Sequence, residues 1–243
     1  MSQDQIAIVT GAGTGVGRAT AIALAKRGWR VAILGRTQAT LDETKALCAG
    51  AERAAGERVV AHVVDVGRND QVERAVAAVN AQWGRVDVLV CAAGTNTPQR
   101  SIAAVSLEKY HELVDANLHG SFYAARAVLP GMRSRRRGLI VTVVSIAGRR
   151  ASALSGVGYV VSKFGQGGLT QAINAEENAN GIRACAVYPG DIDTPILLKR
   201  PNMPPPEARA NMLTADDVAA CVLLAVDLPE RAVVDEIVVR PRI

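Results

Sequence analysis

Residues Gln5–Arg27, "QIAIVTGAGTGVGRATAIALAKR", decide how this chain is read. The apolar run Gln5–Val9 has the length and composition of a strand covered on both faces. Thr10-Gly11-Ala12-Gly13-Thr14-Gly15-Val16-Gly17 follows, and from Gly15 to Arg27 the pattern is helical. Glycines let a backbone turn sharply and approach a ligand closely, and a helix N-terminus presents free N–H groups and a positive dipole end. Together these suit a dinucleotide pyrophosphate. The spacing is not GxGxxG, because Arg18 stands three residues beyond Gly15. A merely tight strand-to-helix turn is the competing reading. The place of the turn, between the first strand and the first helix of an alternating chain, favours the phosphate reading.

Outward from this unit, strand-like runs alternate with amphipathic segments. The strands expected are Gln5–Val9, Arg30–Leu34, Val59–Val64, Val86–Cys91, Leu139–Val144, Arg183–Tyr188 and Glu236–Val239. The helices expected are Gly15–Arg27, Gln38–Gly56, Asp70–Gln82, Ser106–Met132, Gly158–Ala179 and Ala215–Val226. Seven strands in this rhythm predict one α/β domain over residues 1–243, a doubly wound Rossmann-type parallel sheet flanked by helices. The proline-rich stretch Pro195–Pro206 breaks the pattern. It reads either as a spacer or as part of a substrate loop, about 191–213, over the carboxyl edge of the sheet. Its Ile196, Leu197, Leu198 and Met203 either line a pocket with a cationic rim from Lys199 and Arg200 or pack a surface loop.

Composition narrows the function. No run of about 18 apolar residues or secretory-type leader is present, so a cytoplasmic protein with no membrane partner is expected. Cys48, Cys91, Cys185 and Cys221 form no CxxC pair, and His62, His111 and His119 do not cluster with them, so no metal site is expected. The net charge of +5 draws on Arg133, Arg135, Arg136 and Arg137, which read as a solvated helix end complementing the helix dipole. Aromatic residues make up only 3% and do not interleave with these arginines, which argues against a nucleic-acid surface.

The second strand ends Leu34-Gly35-Arg36-Thr37. A site for NAD usually has a carboxylate here for the ribose 2′-hydroxyl. Glycine followed by arginine instead suits a 2′-phosphate, so NADP(H) is favoured over NAD(H).

Tyr159-Val160-Val161-Ser162-Lys163 places a phenol and an ammonium at i and i+4, on one helix face. A nearby ammonium favours phenolate and lowers a phenol's pKa from its usual value near 10. The set of motifs resembles the short-chain dehydrogenases/reductases. TGxxxGxG matches Thr10–Gly17, YxxxK matches Tyr159–Lys163, and Ser145 stands at the end of the fifth strand. Asn117 is similar to the family's helix asparagine, and Pro189-Gly190 with Thr194 to its nicotinamide turn.

The resemblance implies a hydride transfer between nicotinamide and a carbonyl or secondary alcohol. In it Tyr159 is the general acid/base, Lys163 tunes Tyr159 and holds the ribose, Ser145 polarises the substrate oxygen, and Asn117 holds a water linking Lys163 to solvent. It further implies cofactor contacts from Gly11, Thr14, Gly15, Val16, Gly17, Arg36, Thr37, Asp65, Val66, Ala93, Gly94, Lys163, Pro189, Gly190, Ile192 and Thr194. Pairing through the long helices into a homodimer or homotetramer is implied as well. A local turn cap is the competing reading of Asp65. Two departures stand out. The usual Asn-Asn-Ala-Gly reads Cys91-Ala92-Ala93-Gly94, and the interval from Ser145 to Tyr159 is one residue longer, which makes Ser152 and Ser155 rivals of Ser145. The alternatives to an enzyme are a cofactor-binding sensor or scaffold with little turnover, or a nucleic-acid binder built on the arginines.

Overall fold

The unit read from Gln5–Arg27 is a strand, β1 (Ile6–Thr10), a glycine turn and a helix, α1 (Gly15–Lys26). The computed structural model describes residues 5–49 and 58–242. After α1 come β2 (Arg30–Gly35), α2 (Gln38–Ala49), β3 (Val59–Val63), α3 (Asn69–Trp83) and β4 (Val88–Cys91). The chain continues through α4 (Leu107–Val114), α5 (Gly120–Arg135), β5 (Gly138–Val143), α6 (Val157–Glu177) and β6 (Ile182–Pro189). It closes with a short α7 (Pro206–Arg209), α8 (Ala215–Asp227) and β7 (Glu236–Val239).

The seven strands pair in parallel in the order β3-β2-β1-β4-β5-β6-β7. Alternation along each strand divides the core between two faces. Ala7 and Val9 of β1 pack with Leu24 of α1 and Val218 and Val222 of α8 on one face. Ile6 and Ile8 pack with Val76 of α3, Val128 of α5 and Ile173 of α6 on the other. The continuous apolar runs in the sequence reflect this burial on both sides. The strand order reverses between β1 and β4, and a crevice opens outside their carboxyl ends.

Three expectations are refined. The helix expected over Ser106–Met132 is interrupted by a π-helical turn at Asp115–His119 and runs on to Arg135. Apolar periodicity does not register one extra residue in a turn. The helix expected over 38–56 is described as far as Ala49, and the rest lies outside the described residues. The arginines at 133–137 form a largely exposed helix end, as expected, and their side chains also brace neighbouring elements. Arg133 pairs with the buried carboxylate of Glu177, Arg135 donates to Val86 O at 2.6 Å, Arg136 to Ala179 O at 2.8 Å, and Arg137 pairs with Glu230 at 2.7 Å. No helix among the described residues is long and apolar enough to cross a membrane.

Candidate active site

The glycine turn is tight because of what lies behind it. Gly11 has φ of +65°, and a Cβ there would meet Ala93 Cα and N at 2.6 Å. At Gly17 a Cβ would meet Gly11 O at 2.4 Å. Arg18 fixes the outer side of the turn, bonding Gly13 O, Thr44 Oγ1 at 3.0 Å and the Glu43 carboxylate at 2.8 Å. Thr10 ties the turn to β4. Its Oγ1 accepts from the N–H groups of Ala92 and Ala93, both at 3.2 Å, and donates to Val90 O at 3.4 Å. This hydroxyl therefore braces the end of β4 at the point where Cys91-Ala92 departs from the family's amide side chains.

A cleft of about 730 Å³ runs along the carboxyl edge, from Arg36 past the glycine turn and Gly94 to Tyr159 and the loop after β6. Every residue expected at the site lines it except Gly17 and Asn117. Gly17 packs beneath the turn. Asn117 is fully buried in the π-helical turn, where its Oδ1 accepts from Thr95 N at 2.7 Å. Its Nδ2 donates to Thr95 O at 3.1 Å and to Ser162 Oγ at 3.0 Å. It thus clamps the loop after β4 onto α6 and makes no side-chain bond to Lys163. Asp65 Oδ1 accepts from Gly67 N at 3.0 Å, which is the local turn cap, while the residue also lines the cleft.

Tyr159 and Lys163 lie one turn apart near the start of α6, with Lys163 Nζ 5.7 Å from the centre of the Tyr159 ring. Lys163 is buried, and its Nζ donates to Val143 O at 2.9 Å and to Gln166 Oε1 at 2.8 Å. Burial brings its ammonium down to about 7. Gln166 Nε2 in turn donates to Ser121 Oγ at 2.8 Å, and Ser121 Oγ donates to Asn117 O at 3.2 Å. A chain of side chains therefore joins Lys163 to the π-helical turn.

Sequence reasoning has Lys163 lowering the Tyr159 pKa. In the structure burial raises it, and the opposing influences are the Ser145 hydroxyl, Arg100 and Arg200. The physical reason is that burial brings Lys163 to about 7, so it carries little charge in the range where a phenol titrates. Ser145 follows β5, where its Oγ accepts from Ala147 N at 3.1 Å and lies beside the Tyr159 phenol. The rivals Ser152 and Ser155 bond each other at 2.8 Å.

Arg100 and Gln166 carried no local motif, and Arg200 entered only as part of a cationic rim. Arg100 bonds carbonyls of three loops, Thr97 O at 2.8 Å, Leu154 O, and Lys199 O at 2.8 Å. Arg200 pairs with Asp191. The loop after β6 is closed at its base by an Ile192–Leu213 bridge, and Arg209 Nε bonds Asp193 at 2.9 Å. Ile196 and Leu197 line the cleft, while Leu198 and Met203 are exposed away from it.

A family model for the short chain dehydrogenases matches residues 5–204. The chain belongs to that family. It is 30% identical over 239 residues to an uncharacterized oxidoreductase of Staphylococcus saprophyticus, covering 98% of each chain. It is 33% identical over 246 residues to the glycine betaine reductase of Emericella nidulans, covering 98% of this chain and spanning only 19% of that protein. Among solved structures it resembles an alcohol dehydrogenase of the archaeon Thermococcus sibiricus in complex with 5-hydroxy-NADP. The TM-score there is 0.84 and the identity 28%, over 96% of this chain and 95% of that one.

Proposed function

We propose that this chain is an NADP(H)-dependent oxidoreductase acting on a carbonyl or secondary alcohol, with Tyr159 as general acid/base. The observation that carries the reading is that Ser145, Tyr159 and Lys163 line one cleft with the glycine turn.

The residues present fit a dinucleotide. The side chain of Thr14, the N-cap of α1, makes no capping bond, and the helix end faces the cleft. A Cβ at Gly94 would come within 3.2 Å of Asn117 Oδ1, so the floor of the cleft is bare backbone. Gly11–Val16 would hold the pyrophosphate, Val66, Ala93 and Gly94 the middle of the molecule, and Pro189, Gly190, Ile192 and Thr194 the nicotinamide end. Arg36 is exposed at the opposite end, has no acidic partner among the described residues, and would take the 2′-phosphate. The archaeal relative, bound to an NADP derivative, supports this choice.

When bound, the cofactor supplies a hydride in reduction and accepts one in oxidation. Tyr159 gives its phenolic proton to the carbonyl oxygen in reduction and takes one back in oxidation. Ser145 donates a hydrogen bond to the same oxygen as negative charge develops. A phenol raised by burial stays protonated at neutral pH, the form that reduction requires. Lys163, brought to about 7, gains and loses its own proton near neutral pH one helix turn from Tyr159.

The segment 191–213 serves as the substrate loop. Phe122 on α5 and Val161 and Phe164 on α6 are exposed apolar side chains that support pairing of these helices in a homodimer or homotetramer.

The test is Tyr159→Phe, which keeps the ring and removes the proton. NADPH consumption with a panel of ketones is expected to fall by about 100-fold or more, with cofactor binding retained. A variant with wild-type kcat would overturn the assignment.

A further inference from the structure

The substrate half of the cleft carries more positive charge than its own residues balance. Arg100 is only 9% exposed, and the bonds made by its guanidinium go to main-chain carbonyls of Thr97, Leu154 and Lys199. Carbonyls satisfy N–H groups without neutralising charge, and no carboxylate among the described residues pairs with Arg100. Three of its five N–H groups are used, which leaves two. Arg200 lines the same part of the cleft, and its side chain is mostly covered. Its partner Asp191 is largely exposed to solvent. Both guanidiniums influence the Tyr159 phenol, and Arg200 also acts on Arg100. Asp65, the other acidic residue of the cleft, follows β3 at the far edge of the sheet.

A buried cation with no counter-charge is costly, and an anion at that place relieves the cost. Resting on the oxidoreductase reading, we propose that Arg100 and Arg200 form a subsite for the carboxylate of the substrate, and that the enzyme interconverts oxo acids and hydroxy acids. Arg100 is the fixed member, since three loops hold it. Arg200, on the substrate loop, is the member that can turn from Asp191 to the ligand. Leu154, Ile196 and Leu197 supply an apolar wall for the carbon chain between the two polar ends. The reduction consumes one oxo acid, one NADPH and one proton, and yields one hydroxy acid and one NADP⁺. The hydride goes to the carbonyl carbon, the proton to its oxygen, and the carboxylate is unchanged.

The experiment compares 2-oxopentanoate and 4-oxopentanoate with their methyl esters as substrates of the full chain with NADPH. The better acid is expected to exceed its ester in kcat/KM by about tenfold or more, the scale of one charge-assisted contact. Arg200→Gln is expected to remove most of that ratio through KM, and Arg200→Lys to keep part of it. Arg100→Gln is a weaker probe because it also unties three loops. A second measurement does not depend on turnover: calorimetric binding of pentanoate against pentanamide with NADP⁺ present, expected to favour the carboxylate in wild type and not in Arg200→Gln. Equal kcat/KM for acids and esters, or equal binding of pentanoate and pentanamide, would overturn the subsite. Selective carboxylate binding with no reduction of any ketone would uphold the subsite and instead overturn the oxidoreductase reading.

Discussion

Gln166 Oε1 accepts a hydrogen bond from Lys163 Nζ at 2.8 Å, within one turn of the same helix. With Val143 O it is one of two acceptors holding a buried ammonium that burial has brought to about 7. Removing it disfavours the charged form. In Gln166→Leu the Lys163 pKa is expected to fall further, by about one unit for a lost bond to a charged group. Gln166→Glu places an anion there and is expected to move it the other way. The pH profile of kcat/KM for ketone reduction reads both shifts. Two profiles that move in the same direction would show that Gln166 only packs the helix.

Arg36 has no acidic partner among the described residues and lines the cleft just after β2, and on the proposed reading it takes the 2′-phosphate. Arg36→Ala is expected to raise KM for NADPH by about 10–100-fold and to leave KM for NADH nearly unchanged, as loss of one or two charge-assisted bonds predicts. Steady-state kinetics with both cofactors checks this. Equal losses with the two would remove the case for NADP(H) preference.

Thr10→Val keeps the shape of the side chain and removes the hydroxyl that receives the N–H groups of Ala92 and Ala93. A loss of about 2 kcal/mol is expected, or roughly 4–8 °C in Tm for a chain of this size. Thermal unfolding measures the first effect. Weaker cofactor binding should accompany it, because the crevice between β1 and β4 loses its pin.

Glu177 is 2% exposed, and Arg133 beside it holds its carboxylate well below the usual 4.5, down to about 2. Its folded value is depressed, so its contribution to stability is fully present above about 4.5 and is lost as pH falls toward 2. Glu177→Gln is therefore expected to melt lower than wild type at pH 6–7, with the two curves converging near pH 2. A constant difference across that window would show that the pair's charge plays no part.

Much of the fold was legible because it rests on local pattern. β1, β2 and β5 are runs of buried residues, and the turn at Gly11–Gly17 marks where the first strand gives way to a helix. Tyr159 and Lys163 could not be singled out from their spacing alone, and stood out only beside Gly11–Gly17, Asn117, Ser145 and Pro189-Gly190. Nor could the interruption at Asp115–His119, since Asn117 earns its place through bonds to Thr95 and Ser162, 22 and 45 residues away. Arg100 was equally hidden, because its partners at Leu154 and Lys199 lie 54 and 99 positions along the chain. Gln166 reads in sequence as one more residue of a helix, and only its direction into the core reveals that it meets Lys163.

The grip of Arg100 has a consequence for how specificity in this chain can change. What it holds in the loop at 195–200 is the carbonyl oxygen of Lys199, an atom that every amino acid supplies. The side chains of that loop can therefore be exchanged without loosening its attachment to the other two. Redesign of the wall proposed for the substrate should succeed by replacing Ile196 and Leu197 in place, and should fail when residues are inserted or deleted between Pro195 and Lys199, because that shifts the carbonyl out of the guanidinium's reach.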